Sequence, residues 1–307
     1  MNQSENERVE FEINLKEMFQ TLWDEKKRIS YIILGFFLFS ILYSLFLTNY
    51  YQSESLLQIR SQSTASSQIS QIPGLSNMGI NLPPSGDYRK SKEAVEIIKS
   101  RALLKELLKH EGVLQNIMAS ERYDSSSKEI ILNDELYDSK NKKWVREIGN
   151  LPKKPTYLEA YEVYLKGGLV SVSQDQVTDF ISIKVEHISP IFAKELLELI
   201  ILETNNILRE RDLEEASKAI SYLESELVKT NKLEIKESIS KLMEIQMEKR
   251  MMAKVNEAYM LIEIEPPFIP EKKSSPQRTL IVLFWLFFGT IIATSYVILR
   301  KYIFQES

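Results

Sequence analysis

Two uncharged apolar runs stand near opposite ends of this 307-residue chain. Ile29–Thr48 reads ISYIILGFFLFSILYSLFLT, and Thr279–Leu299 reads TLIVLFWLFFGTIIATSYVIL. Each is about 20 residues long, enough at 1.5 Å per residue to cross a hydrocarbon core of roughly 30 Å. The pattern predicts transmembrane helices over 29–48 and 279–299. Between them, residues 49–278 form one polar block that must lie on a single side of a membrane.

Inside the block the apolar spacing changes several times. Ser53–Arg60 has strand character. Ser61–Gly86 turns to Ser, Gln, Gly and Pro without charge, which predicts a long loop. Asp87–His110 carries helical spacing, stopped by Gly112. Val113–Pro155 reads as irregular with helical pieces, and Thr156–Lys166 as a short helix ended by Gly167-Gly168. Leu169–Gln174 and Phe180–His187 form the best strand pair, joined by Asp175–Asp179. Ile181, Ile183 and Val185 alternate there with Ser182, Lys184 and Glu186, the period of a sheet covered on one face.

Ser189-Pro190 then supplies an N-cap and a first-turn proline, the start of a helix expected to run to about Lys229. An apolar stripe follows it through Phe192, Leu196, Leu199, Ile200, Leu213, Ala216, Ile220, Leu223 and Leu227. After a weak break at Thr230-Asn231, a second helix is expected over Lys232–Glu257, then a strand over Tyr259–Glu265. The chain must return toward the second span, so the two helices are expected to form an antiparallel hairpin over about 189–257. So thin a pair cannot bury its own stripe. Either neighbouring copies in a homo-oligomer cover it, or other parts of the same domain do. Pro266, Pro267, Pro270 and Pro276 carry the chain to Arg278 as a stiff, extended link. In the second span Gly289 and Ala293 lie four residues apart, a spacing that lets helices approach closely.

Charge sets the orientation. Lys26, Lys27 and Arg28 directly precede the first span, and the next basic residue is Arg60. That bias places segment 1–28 in the cytoplasm, the block 49–278 outside it, and the tail 300–307 back in the cytoplasm. The first run is too long for a usual signal-peptide core and no small-x-small site follows, so an uncleaved anchor is expected. The run Ile13–Trp23 has roughly helical apolar spacing; it reads as an interfacial helix leading into the span or as the helical end of a disordered tail.

Little in the composition points to chemistry. The block holds 32 Lys+Arg against 35 Asp+Glu, so it offers no basic field for nucleic acid. There is no cysteine, hence no disulfide or thiol chemistry. His110 and His187 fit no metal-ligand spacing. Gly74 and Gly79 have the glycine spacing of a phosphate loop, but Ile80 and Asn81 stand where Lys and Ser/Thr are needed. Neither a catalytic residue, a cofactor nor a metal is expected, and the chain reads as a non-enzyme.

The layout resembles the polysaccharide co-polymerases, the Wzz-type chain-length determinants. The residues that carry the resemblance are the lead-in Ile13–Ile32, Lys99-Ser100-Arg101, Val170–Asp175, His187-Ile188-Ser189-Pro190, Ala193, Asn205, Tyr222-Leu223 and, most characteristically, the proline-rich run Pro266–Arg278. Two departures stand out: Asp179 occupies a place where the family often has glycine, and the second span lacks a full G-x-x-x-G pair.

The resemblance implies an α+β membrane protein: two transmembrane helices flanking a periplasmic domain, with a small mixed-sheet base and a long helical hairpin protrusion. It implies a two-pass bacterial inner-membrane protein forming a ring-like homo-oligomer. Its partners would be a membrane polysaccharide polymerase of the Wzy type and a lipid-linked polysaccharide chain. The role implied is non-catalytic control of chain length in O-antigen or related surface polysaccharide biosynthesis. An export or tyrosine-kinase-adaptor subunit for capsule or exopolysaccharide is the alternative within that field. A two-span envelope sensor is the alternative of another class, and the few residues after Leu299 are expected to be too short for its signalling region.

Overall fold

The computed structural model describes residues 20, 22–60, 87–256 and 258–304. The loop expected over Ser61–Gly86, its glycine pair, and most of the run Ile13–Trp23 lie outside them. The chain forms two compact units, one of Met1–Asn49 with Ser275–Ser307 and the other of Tyr50–Ser274.

In the first unit, α1 (Lys26–Phe46) packs against the last helix, Arg278–Phe304. Both are long and apolar enough to cross a membrane. Each begins slightly before its apolar run, and the last one extends beyond Leu299, because flanking Lys and Arg are good helix formers that can reach polar surroundings.

The second unit begins with β1 (Tyr51–Ile59). Asp87–His110 does not form one helix: it is divided into α2 (Asp87–Ile98) and α3 (Arg101–Leu107). The break falls at Ser100, whose hydroxyl accepts from the Leu103 N–H and caps α3. α4 (Val113–Met118) follows Gly112, which takes a left-handed φ of 86°.

Two small hairpins replace the irregular stretch expected over 113–155: β2 (Ser120–Asp124) with β3 (Glu129–Leu132), and β4 (Tyr137–Asp138) with β5 (Lys143–Trp144). α5 (Tyr157–Tyr161) starts on a capping box between Thr156 and Glu159 and runs into a π-turn, Glu162–Lys166. β6 (Val170–Gln174) and β7 (Ile181–His187) form the expected third hairpin.

All three hairpins turn in the same way. Asp124, Asp138 and Asp175 each accept a backbone N–H two residues on, from Ser126, Lys140 and Val177. Four residues after each aspartate the backbone is left-handed, at Lys128 (φ 59°), Lys142 (51°) and Asp179 (60°). Asp179 thus takes the conformation that glycine would supply, and the hairpin closes without one.

α6 (Pro190–Lys229) starts at the Ser189 cap and ends at the expected residue. It is followed by α7 (Leu233–Val255), β8 (Leu261–Glu265) and, in the first unit, α8 (Arg278–Phe304). The sheet order is β6-β7-β1-β8. Every pairing is antiparallel, simpler than the mixed sheet expected. Ile181, Ile183, Val185 and Leu57 line its covered face.

The unequal helix lengths now have a cause. The first half of α6, through Leu208, buries Phe192, Leu196, Leu197, Ile200 and Ile201 in the core of the base. Only the remainder, about 20 residues, is left to pair with α7, which has 23.

Candidate functional site

The proline-rich run lies along β1. Pro266 and Pro267 have no N–H, so the ladder begun by β8 cannot continue through them. Serine hydroxyls take over the pairing: Ser55 Oγ donates to Glu265 O and Ser53 Oγ to Phe268 O, both at 2.7 Å. Further on, the Ser274 N–H donates to Tyr50 O at 2.8 Å. Ser53 and Ser55 are therefore buried at positions of β1 where an apolar side chain would be usual. Pro267 and Pro270 are buried and Pro266 is exposed. In the other unit Ser275–Pro276 is a cis peptide, and Arg278 Nη2 donates to Asn49 Oδ1 at 3.2 Å.

Gly289 and Ala293 lie in α8, and Ala293 is fully buried. A Cβ placed on Gly289 would fall 2.9 Å from Phe36 Cβ, inside any normal contact distance. Beside them Trp285 stacks on Phe36 at 6.1 Å and meets Phe39 edge-on at 5.2 Å.

The root of the hairpin holds a polar cluster within the apolar stripe. Asp212, almost fully buried, accepts the Tyr259 hydroxyl at 2.6 Å and pairs with Lys249 at 3.0 Å. Lys249 also reaches Glu215 at 3.3 Å, and Arg211 pairs with Glu93 at 2.5 Å. Asp212, Lys249, Glu215, Arg211 and Glu93 line a cleft of about 250 Å³. One side chain each from α6, α7 and the entry to β8 meets at Asp212, so this cluster fixes the hairpin on the base. Sequence reading missed it, although Asp212 at four-residue spacing between Leu208 and Ala216 was the signal.

Toward the hairpin tip the cover thins: Tyr222, Val228 and Leu233 are each at least 60% exposed, and no residue of α6 beyond Ile220 is buried, although Ile239 of α7 is. Met251 and Val255, toward the root, are as exposed.

The two histidines have ordinary partners. His187 donates from Nε2 to Asn116 O at 3.0 Å and accepts the Ser189 N–H on Nδ1 at 3.1 Å. Burial lowers its pKa to about 4, so the ring is neutral and clamps α4 to the cap of α6. His110 faces Glu203 at 3.0 Å. Among the described residues no three His, Asp or Glu side chains converge as metal ligands would.

This layout of spans, base and hairpin sits beside a direct match of sequence. Residues 11–111 match the family model described as Wzz, chain length determinant protein. The resemblance read from the sequence holds. The matched stretch takes in the first span, β1, α2 and α3. Among solved structures, a full-length bacterial polysaccharide co-polymerase aligns over 95% of this chain and 99% of its own, at 10% identity and a TM-score of 0.40. No curated protein matches the sequence.

Proposed function

We propose that this chain regulates the length of a surface polysaccharide and acts without catalysing a reaction itself. The observation that carries the reading is the match of residues 11–111 to the chain length determinant model. The rest of the chain is consistent with it: two membrane-spanning helices close a single polar block whose long hairpin leaves apolar side chains uncovered, among them Tyr222, Val228 and Leu233.

In this reading the protein is a two-pass protein of the bacterial inner membrane. The N-terminal segment 1–28 and the tail 300–307 are cytoplasmic and 49–278 is periplasmic, an orientation that the basic residues before the first span favour. The uncovered side chains of the hairpin are buried by neighbouring copies in a ring-like homo-oligomer, since exposed apolar surface of this kind marks association. Gly289 and Ala293 permit the two spans to pack closely. The proline run through Arg278 ties the base to the second span. The partners are a membrane polymerase of the Wzy type and its lipid-linked O-antigen or related polysaccharide. The test is the length distribution of surface polysaccharide in cells with and without this chain. Loss of a modal length while polymer continues to be made supports the reading; loss of all surface polymer would favour an export role.

A further inference from the structure

We propose that the cleft bounded by Trp144, Gln115 and Lys154 binds an acidic sugar residue of a polysaccharide chain. The inference rests on the chain-length reading for its choice of polymer, and on the cleft itself for its chemistry.

The cleft is an open depression of about 320 Å³, lined by Lys109, Gln115, Tyr137, Lys142, Trp144 and Lys154, with Glu111 as its carboxylate. That is the low end of the range for small-molecule sites, roughly 300 Å³. Tyr137 and Trp144 stand directly opposite each other on β4 and β5, with ring centroids 5.1 Å apart at 66°. Tyr137 is buried and held by Gln115 Nε2 at 3.5 Å. Trp144 is only half-buried, and its indole N–H has no hydrogen-bond partner among the described residues. An indole N–H can only donate.

The rim is rich in donors. Lys109 is paired with Glu106. Lys142 pairs with Glu111 at 3.2 Å, but both are largely exposed, so an incoming carboxylate can replace Glu111 at little cost. Lys154 makes no ion pair among the described residues. An aromatic surface ringed by ammonium and N–H donors matches a sugar ring, which presents apolar C–H groups on its face and hydroxyls at its edge. The excess of cations selects a ring that carries a carboxylate.

The wall is rigid. Arg146, two residues after Trp144, is 4% exposed. Its Nε donates to Lys153 O at 2.8 Å, its Nη2 to Pro152 O at 2.9 Å, and its Nη1 to Glu159 at 2.6 Å. The guanidinium thus pins the loop that delivers Lys154 to the cleft, and a site ordered beforehand loses less entropy on binding.

The test uses the full chain in nanodiscs and calorimetric titration with two probes: a tetrasaccharide alternating glucuronate and N-acetylglucosamine, and neutral chitotetraose. The acidic probe is expected to bind about tenfold more tightly than the neutral one, a difference weakened by salt. Lys154→Ala, an exposed change that leaves the fold intact, should lower affinity for the acidic probe about tenfold. Trp144→Ala should abolish binding, and Trp144→Phe should retain it in part. Equal affinity for the two probes, no binding of either, or an unchanged affinity in both Lys154→Ala and Trp144→Ala would overturn the proposal. Absence of binding alongside a length distribution that still depends on the chain would sink this inference alone; a distribution indifferent to the chain would sink the function.

Discussion

Asn205 grips Leu261 from both sides of its amide. Oδ1 accepts the Leu261 N–H at 2.8 Å and Nδ2 donates to Leu261 O at 3.2 Å, while Oδ1 also accepts the Met260 N–H at 2.9 Å. A side chain in the middle of α6 thereby behaves as a short strand against the start of β8. Every group involved is buried, so the pairing must be complete. Asn205→Ala leaves two N–H groups and a carbonyl without partners, and is expected to cost about 2–4 kcal/mol. Asn205→Asp keeps the acceptors, loses the donor and buries a charge, and should cost at least as much. Thermal unfolding of the full chain in detergent, followed by circular dichroism, checks both.

His187 makes stability depend on pH. The folded ring titrates near 4 because it is desolvated, whereas the unfolded chain takes a proton near 6.5. The unfolded state therefore binds more protons below pH 6.5. The stability associated with the neutral, buried ring is complete above that pH and is lost as pH falls toward 4, by about 3 kcal/mol. His187→Gln keeps one donor and one acceptor but no titration. Between pH 6.5 and 5 its denaturant midpoint should fall less steeply than that of the parent chain; equal slopes would remove His187 as the cause.

Arg146 and Glu159 give a second window. The Arg146 hydrogen bond is the chief reason that the Glu159 pKa lies near 2. This contribution is present above the ordinary carboxylate value near 4.3 and disappears as pH falls toward 2, below the His187 window. Arg146→Lys cannot reproduce a fork that serves a carboxylate and two carbonyls together. Glu159 is half-buried, so losing the charged hydrogen bond costs about 1.5–3 kcal/mol, and urea unfolding at pH 7 should register it.

Gly289 meets Phe36 across the two spans with no room for a Cβ. Gly289→Val is expected to overpack this contact by about 1–3 kcal/mol. Phe36→Ala in the same chain should recover part of the loss, because it removes the ring the new methyls strike. Melting temperatures of the single and double variants in nanodiscs decide this; additive losses would mean that the two residues do not press on each other.

What was legible in the sequence follows from length and periodicity. The spans, the β6–β7 pair and the exact limits of α6 all rest on runs long enough for a pattern, or on a strong cap such as Ser189-Pro190. The hairpins β2–β3 and β4–β5 were not legible because their strands have two to five residues, too few for alternation. Their turns place lysine, not glycine or asparagine, at the left-handed position. A better signal was present: an aspartate that accepts the N–H two residues on, with the left-handed residue four after it, repeats in all three hairpins. The Ser100 break was hidden because Lys99-Ser100-Arg101 interrupts neither the charge nor the apolar spacing of its surroundings. Of the candidate sites, the proline run was visible, but its pairing through Ser53 and Ser55 was not, since the partners lie more than 200 residues apart. The Trp144 cleft draws on α4, β4, β5 and the 152–154 loop, and only the fold brings these together.

The most direct test of chain-length control is an electrophoretic ladder of surface polysaccharide from a deletion strain, restored with the parent chain or with an empty vector. The expected result is a cluster of bands at one preferred length when the chain is restored, and a smooth decline of band intensity with length when it is not, at similar total polymer. An identical ladder and identical total polymer in both strains would contradict a role in setting chain length.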